Sequence, residues 1–327
     1  MSIFFLQTEA VLVVHSGDIQ YAPGTFDPPV PPGPNPRNLT LFSLPSPYVN
    51  NITATTYVGT ILGGGSAVNG MFFDRGSRFG YDAWYHLQDT KVSQKTGKWD
   101  WEGIFPFFRK GITFTGPVPA LVEKYGFTWD WSAFGNTSRI YATIPPFLWG
   151  DHLMLRQAWK DMGVAVPKEC AGGDKEGLCW VPQSQHPVTA RRSYAGLAHY
   201  ADVVGSRHNY DLLIEHEVGR VIYRNGDPKL GPPSIEIRSK EDGRLFNLTP
   251  RAEVIISAGA IFTPAILQRS GIGPAKFLRS LGIPVVLDLP GVGSNFQDHS
   301  GVKPGLLWNC KCPKNPFHNL KMADLTK

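Results

Sequence analysis

The chain has 327 residues, 42% of them hydrophobic and 18% charged, which supplies a sizeable core and excludes a disordered segment. Its length exceeds that of one simple domain, so two interleaved domains are expected. The formal net charge is +5, but the basic residues are scattered singly apart from Arg191-Arg192, and without a basic stripe to track a phosphate backbone nucleic acid is excluded as a partner.

In chain order, residues 1–14 are apolar but lack a basic start, are interrupted by Gln7, Thr8 and Glu9, and offer no small-residue cleavage site, so they do not read as a secretory leader. Val11–Val14 ends at Ser16-Gly17-Asp18 and suits a buried parallel strand followed by a turn. Residues 21–50 are proline-rich, with Pro28-Pro29 and Pro31-Pro32, and read as a surface excursion without regular structure. A glycine cluster follows, Gly63-Gly64-Gly65-Ser66-Ala67-Val68-Asn69-Gly70.

Residues 81–87 and 101–110 carry aromatics at helical spacing. Trp84, Trp99, Trp101, Phe105, Phe107 and Phe108 are expected to pack together, as a structural core or as a ligand platform. A helix is predicted over 151–162, N-capped by Asp151 and closed by Gly163, then a loop over 172–187 and another helix over 191–200 after Thr189. From Tyr210 the pattern changes to short strands at 212–217, 219–224, 234–238 and 254–257. Asn225-Gly226-Asp227 and Asp242-Gly243 serve as hairpin signals.

The strand at 254–257 runs into Ser257-Ala258-Gly259-Ala260. Thr263-Pro264 reads as an N-cap and first-turn proline, Gly271 as the end of that helix, Pro274 as the start of the next and Gly282 as its end, before a strand at 285–287. A glycine-rich junction between strand and helix lets the anionic part of a ligand approach backbone N–H groups at the positive end of the helix. Taken alone, a tight turn without ligand explains it equally well.

Four cysteines, Cys170, Cys179, Cys310 and Cys312, lack zinc-site spacing with histidines, so no metal site is expected. Cys170 and Cys179 fit a short disulfide loop or two free buried thiols. Glycosylation triplets begin at Asn38, Asn51, Asn136 and Asn247, and lean toward export against the missing leader. No apolar run reaches the length of a membrane span.

The two glycine-rich blocks, about 190 residues apart, are more specific together than either alone. Residues 59–71, with the later Arg75-Gly76, Asp82 and Trp84, resemble the first signature of the glucose-methanol-choline (GMC) flavoprotein oxidoreductases. Residues 254–299, through Gly282-Ile283-Pro284 and Gly291-Val292-Gly293-Ser294-Asn295-Phe296-Gln297-Asp298-His299, resemble the second. Arg191-Arg192-Ser193 and Arg207-His208-Asn209 lie where that family carries similar residues, and the resemblance covers about residues 8–305.

It implies an α/β protein in which a doubly wound, Rossmann-like FAD-binding domain (1–75 and 205–300) is interleaved with an antiparallel-sheet substrate domain (76–204 and 301–327). It also implies FAD as cofactor and hydride transfer from an alcohol's CH–OH carbon to the flavin. Gly64, Gly65 and Ser66 are expected to let the cofactor approach the backbone, Asn69, Gly70 and Met71 to face its pyrophosphate or flavin, and Val218, Ser257, Ala258 and Gly259 to lie at its adenine end. Asp298 and His299 match a family turn, read as structural rather than as an acid/base pair.

Departures from the family accompany these matches. No GxGxxG turn precedes the first strand, so the domain is expected to be incomplete, and His15 stands where a glutamate accepts the ribose hydroxyls; a neutral imidazole has one acceptor where a carboxylate has two oxygens. The family's catalytic histidine has no counterpart, so no residue of the chain is assigned the catalytic role. The tail at 308–327 matches no part of the family.

The expectation is a truncated member of the family, prone to self-association through an exposed sheet edge. A non-catalytic scaffold that keeps the fold without flavin is the alternative, and a split enzyme completed by a second segment is a third reading.

Overall fold

The computed structural model describes residues 10–16, 38–87, 98–145, 148 and 150–298. The readings of residues 1–9, 17–37, His299 and the 308–327 tail lie outside these residues.

In chain order the elements are β1 (Val11–Val14), β2 (Asn38–Phe42), β3 (Thr55–Gly59), a 3₁₀ turn at Gly64–Ala67, α1 (Arg78–Leu87), α2 (Trp101–Lys110), β4 (Thr113–Thr115), α3 (Pro119–Tyr125), β5 (Tyr141–Thr143) and α4 (Gly150–Asp161). There follow a π-helical turn at Leu197–Ala201, β6 (Tyr210–Leu213), β7 (His216–Ile222), β8 (Ser234–Ser239), β9 (Leu245–Leu248), α5 (Gly259–Arg269), β10 (Ile272–Gly273), α6 (Ala275–Ser280) and β11 (Leu287–Asp288). Parallel pairs form between β1 and β6, β4 and β5, and β10 and β11. β2 and β3 form an antiparallel hairpin, and β7-β8-β9 an antiparallel meander.

The buried apolar strand β1 and the two-hairpin meander agree with the sequence pattern. The meander's connections turn through left-handed Asn225, Gly226 and Gly243, the conformations that Asn-Gly and Asp-Gly supply at least cost. Four expectations fail on long-range grounds. Part of the proline-rich segment becomes β2, because Asn38–Phe42 finds a partner strand in Thr55–Gly59. Residues 254–256 stay outside any ladder, although Val254 and Ile256 still pack on the core.

The helix placed at Thr263-Pro264 begins at Gly259, and the Thr263 hydroxyl turns back to accept from the Ala258 N–H at 3.0 Å. The helix placed at 191–200 starts only after Ser193. Gln185 and Arg192 pair as a β-bridge instead, drawing that stretch into sheet-like contact.

Three apolar clusters hold these elements, the smallest packing Ile61 and Ala67 against Tyr194. Of the larger two, one joins β4 and β5 to Phe127, Phe134 and Ala198. The other packs Val14, Val218, Val221, Ile235 and Ile237 against Ala258 and Ile266, tying the parallel β1–β6 pair to the meander and to α5. The predicted aromatic group is a smaller core. Trp101 stacks on Phe105 at 5.0 Å and Tyr81 contacts Trp84, Trp101 and Phe108, while Trp99 and Phe107 are exposed.

Arg75 is buried beside this core, donating to the carbonyls of Ala133 and Ala171 and lying over the rings of Phe105, Phe108 and Phe134. Burial pulls its guanidinium below the ordinary arginine range. Asp82 accepts from the Trp101 N–H and Asp100 from the Gly103 N–H, each at 2.8 Å, so two carboxylates satisfy orphan donors at the start of α2. Asp82→Ala and Asp100→Ala should each lower stability by about 1 kcal/mol, read as a shift in urea midpoint at constant slope; an unchanged midpoint would show that water replaces the caps.

Candidate functional site

The backbones of residues 62–64 and 194–196 cross so closely that only glycine fits at the crossing. A Cβ on Gly63 would sit 2.7 Å from the Gly196 nitrogen, and one on Gly196 would sit 2.5 Å from the Leu62 carbonyl oxygen. Gly63 is also left-handed, with φ 96°. This crossing clamps the 3₁₀ turn Gly64–Ala67 against the segment that becomes the π-helical turn, a form of helix enriched at functional sites.

Beyond the crossing the backbone opens. Among the described residues, apart from chain neighbours, nothing lies within 4 Å of where a Cβ of Gly64, Gly65 or Gly259 would be. These glycines border a cavity of about 280 Å³ lined also by Val13, Leu62, His199, Tyr200 and Tyr210. Ser257, Ala258 and Gly259 form the wall where α5 begins. The first N–H groups of that eleven-residue helix have no intrahelical partner and form its electropositive end. A glycine backbone open to approach, a helix N-terminus and apolar strand walls suit an anionic, ring-bearing ligand. Ligand pockets run from roughly 300 to 1,000 Å³, so this cavity fits one part of a dinucleotide such as FAD.

The structure thus brings Gly64, Gly65, Ser257, Ala258 and Gly259 to one cavity and leaves the other expected residues off its lining. Ser66 points inward, donating to the Gly63 carbonyl at 2.7 Å and accepting from the Ala195 N–H at 3.2 Å. The Asn69 carboxamide oxygen accepts from the Met71 N–H at 3.0 Å and from the Arg192 guanidinium at 2.7 Å. Met71 is buried with φ 64°, a conformation costing a non-glycine residue roughly 1–2 kcal/mol, and such outliers cluster at ligand sites. Gly70 lies beside the exposed Phe72 ring. Val218 sits in the core cluster beside Val14 and Ala258, at a bulge in β7. His15 is fully buried at the end of β1.

Arg192 is the residue whose part the sequence did not disclose. It is 4% exposed, and it donates to the Asn69 carbonyl at 2.8 Å and the Ser66 carbonyl at 3.3 Å besides the Asn69 side chain. No acidic group partners it among the described residues, and burial alone lowers its pKa. Its Nε has no hydrogen-bond partner among them either. One buried cation therefore fixes both ends of the 66–69 stretch. Ala195, Gly196, His199 and Tyr200 were also missed as cavity residues, because their only sequence signal was position shortly after Arg191-Arg192-Ser193. Among the described residues no cluster of His, Cys, Asp or Glu could hold a metal, and no helix is long and apolar enough to cross a membrane.

A profile described as GMC oxidoreductase matches residues 12–301. Dehydrogenase xptC of Emericella nidulans is 34% identical over 299 residues, covering 89% of this chain and 45% of the relative. An oxygen-dependent choline dehydrogenase of Chromohalobacter salexigens is 31% identical, covering 86% and 46%. Among solved structures, a fungal aryl-alcohol oxidase superposes with a TM-score of 0.82 at 57% identity, covering 87% of this chain and 47% of that one. An FAD-dependent oxidoreductase from Chaetomium thermophilum superposes with a TM-score of 0.78 at 32% identity, covering 86% and 46%. The chain spans about half the length of the curated relatives it matches.

Proposed function

The chain belongs to the GMC oxidoreductase family, with that family's α/β fold, and from this premise we propose that it forms the FAD-binding part of an oxidoreductase acting on alcohols. FAD is the cofactor indicated by the family and by its FAD-dependent structural neighbours. When bound it supplies the acceptor for a hydride from a CH–OH carbon. Aryl alcohols are the first substrate class to assay, because the 57% identical neighbour is an aryl-alcohol oxidase.

The observation that carries this reading is the convergence of Gly64 and Gly65 with Ser257, Ala258 and Gly259 on one cavity. In it Gly64 and Gly65 leave the cofactor room at the backbone, while the start of α5 offers N–H donors to its polar groups. Ser66, Asn69, Gly70 and Met71 form the shaped stretch that Arg192 holds in place, and Val218, in the core at the β7 bulge, is assigned to the adenine end by its match to the family position alone. The assignment of 1–75 and 205–300 to the cofactor domain, and of 76–204 and 301–327 to the substrate domain, goes with this reading. So does self-association through an edge of the β1–β6 sheet, which has two strands among the described residues. No catalytic base is assigned among the described residues.

One observation favours a second reading, a scaffold that keeps the fold without flavin: His15 is fully buried and supplies no carboxylate for a ribose. The visible absorption spectrum of the purified chain, taken after incubation with FAD and desalting, separates the two. A retained flavin band is expected, and a colourless protein would overturn cofactor binding by this chain.

A further inference from the structure

We propose that Asn51 and Asn136 carry N-linked glycans, and that the glycan on Asn51 covers the apolar tip of the β2–β3 hairpin. The inference is independent of flavin binding.

Cys170 and Cys179 are joined as a disulfide, with Cα atoms 6.0 Å apart. Such bonds persist in oxidising compartments, the exported route on which asparagine-linked glycans are added. Of the four triplets, three have described asparagine side chains, and Asn51, Asn136 and Asn247 are all exposed. None of these three carboxamides makes a hydrogen bond among the described residues, in contrast to Asn69, whose carboxamide oxygen accepts twice.

Asn51 stands at the end of the hairpin tip, after the 3₁₀ turn Pro47–Val49, with left-handed φ at both Asn50 and Asn51 and a bridge between Ser46 and Ile52 closing the turn. A tight, protruding turn presents its side chain outward. Around it Tyr48 is 95% exposed and Leu44 86%, and Phe42, Val49 and Ile52 each expose more than half their surface. A contiguous apolar tip of this kind is an aggregation liability unless something covers it. A bulky, solubilising group attached at its centre is a cover of the right place and chemistry.

Asn136 is exposed between the buried Phe134 and Ile140, its backbone bridged to Thr113. Asn247 is left out of the proposal, because Pro250 follows Thr249 and biases that threonine toward extended backbone, away from a turn that would bring its hydroxyl to the acceptor amide.

The modification is a group transfer from a lipid-linked oligosaccharyl diphosphate. The bond between the sugar C1 and the diphosphate oxygen breaks, C1 bonds to Nδ2 of the asparagine, one Nδ2 proton passes to a base of the transferase, and the lipid diphosphate leaves.

The test is to produce the full chain behind a secretory leader in a eukaryotic host and release its glycans with an amidase in ¹⁸O-water. Isotope-labelled aspartate is expected at 51 and 136; unmodified asparagine at either position overturns that site. Asn51→Gln, Asn136→Gln and Thr53→Ala should each lose one glycan step in gel mobility, Thr53→Ala removing the signal without altering Asn51. Native deglycosylation of the wild type should raise binding of a hydrophobic dye, with no further rise for Asn51→Gln. Unchanged dye binding by the wild type overturns the covering role.

Discussion

Replacing Arg192 with methionine is expected to destabilise the chain by about 2–4 kcal/mol and to abolish retention of FAD. The stability loss follows from hydrogen bonding. The substitution removes the guanidinium from the carbonyls of Asn69 and Ser66 and from the Asn69 carboxamide oxygen, which keeps only the Met71 N–H, and an acceptor left without its partner away from water costs about 1–3 kcal/mol. Against that sum stands the desolvation of a cation that is 4% exposed with no acidic partner among the described residues, which keeps the net below the total of three bonds.

The binding loss follows from position. Ser66 and Asn69 bracket the stretch that leads from the open glycines to the left-handed Met71, and a released loop has to be reordered by the ligand at the expense of affinity. Lysine at 192 keeps the charge but not the planar fork, so it should recover part of the stability and less of the binding. Urea unfolding paired with flavin fluorescence titration reads both. Wild-type behaviour of Arg192→Met in both would show that the clamp is dispensable.

Gly65→Leu separates binding from folding in the opposite sense. Among the described residues, apart from chain neighbours, nothing lies within 4 Å of the added Cβ, and Gly65 is not among the positive-φ glycines, so stability should stay within about 1 kcal/mol of wild type. The leucine side chain then projects into the space proposed for the cofactor. Overpacking of about 1–3 kcal/mol corresponds to roughly a 5- to 150-fold loss of FAD affinity. Unchanged affinity with unchanged stability would place the cofactor elsewhere.

Features set by a few neighbouring residues were legible in the sequence. The apolar run Val11–Val14, the aromatic helices α1 and α2, the Asn-Gly and Asp-Gly turns of the meander, and Gly271 and Gly282 closing α5 and α6 depend on side-chain period and on who tolerates a left-handed backbone. The family, too, was carried by two local blocks. For the site the glycines could be named, but their geometry could not. The same Gly-Gly-Gly run supplies one residue that must be glycine because another backbone crosses it, Gly63, and two whose Cβ positions are open, Gly64 and Gly65.

The sequence by itself therefore determined the kinds of element, their turns and the lineage. Only the tertiary structure decided that residues 254–256 stay out of a ladder, that α5 starts at Gly259, and that Arg192 and the 195–200 stretch close on a turn some 130 residues earlier. Those outcomes depend on partners brought together by burial of the three apolar clusters, Ala67 and Tyr194 among them. Local propensity acts over one helical turn or one strand pair, and it carries no information about which distant carbonyls a buried guanidinium will meet.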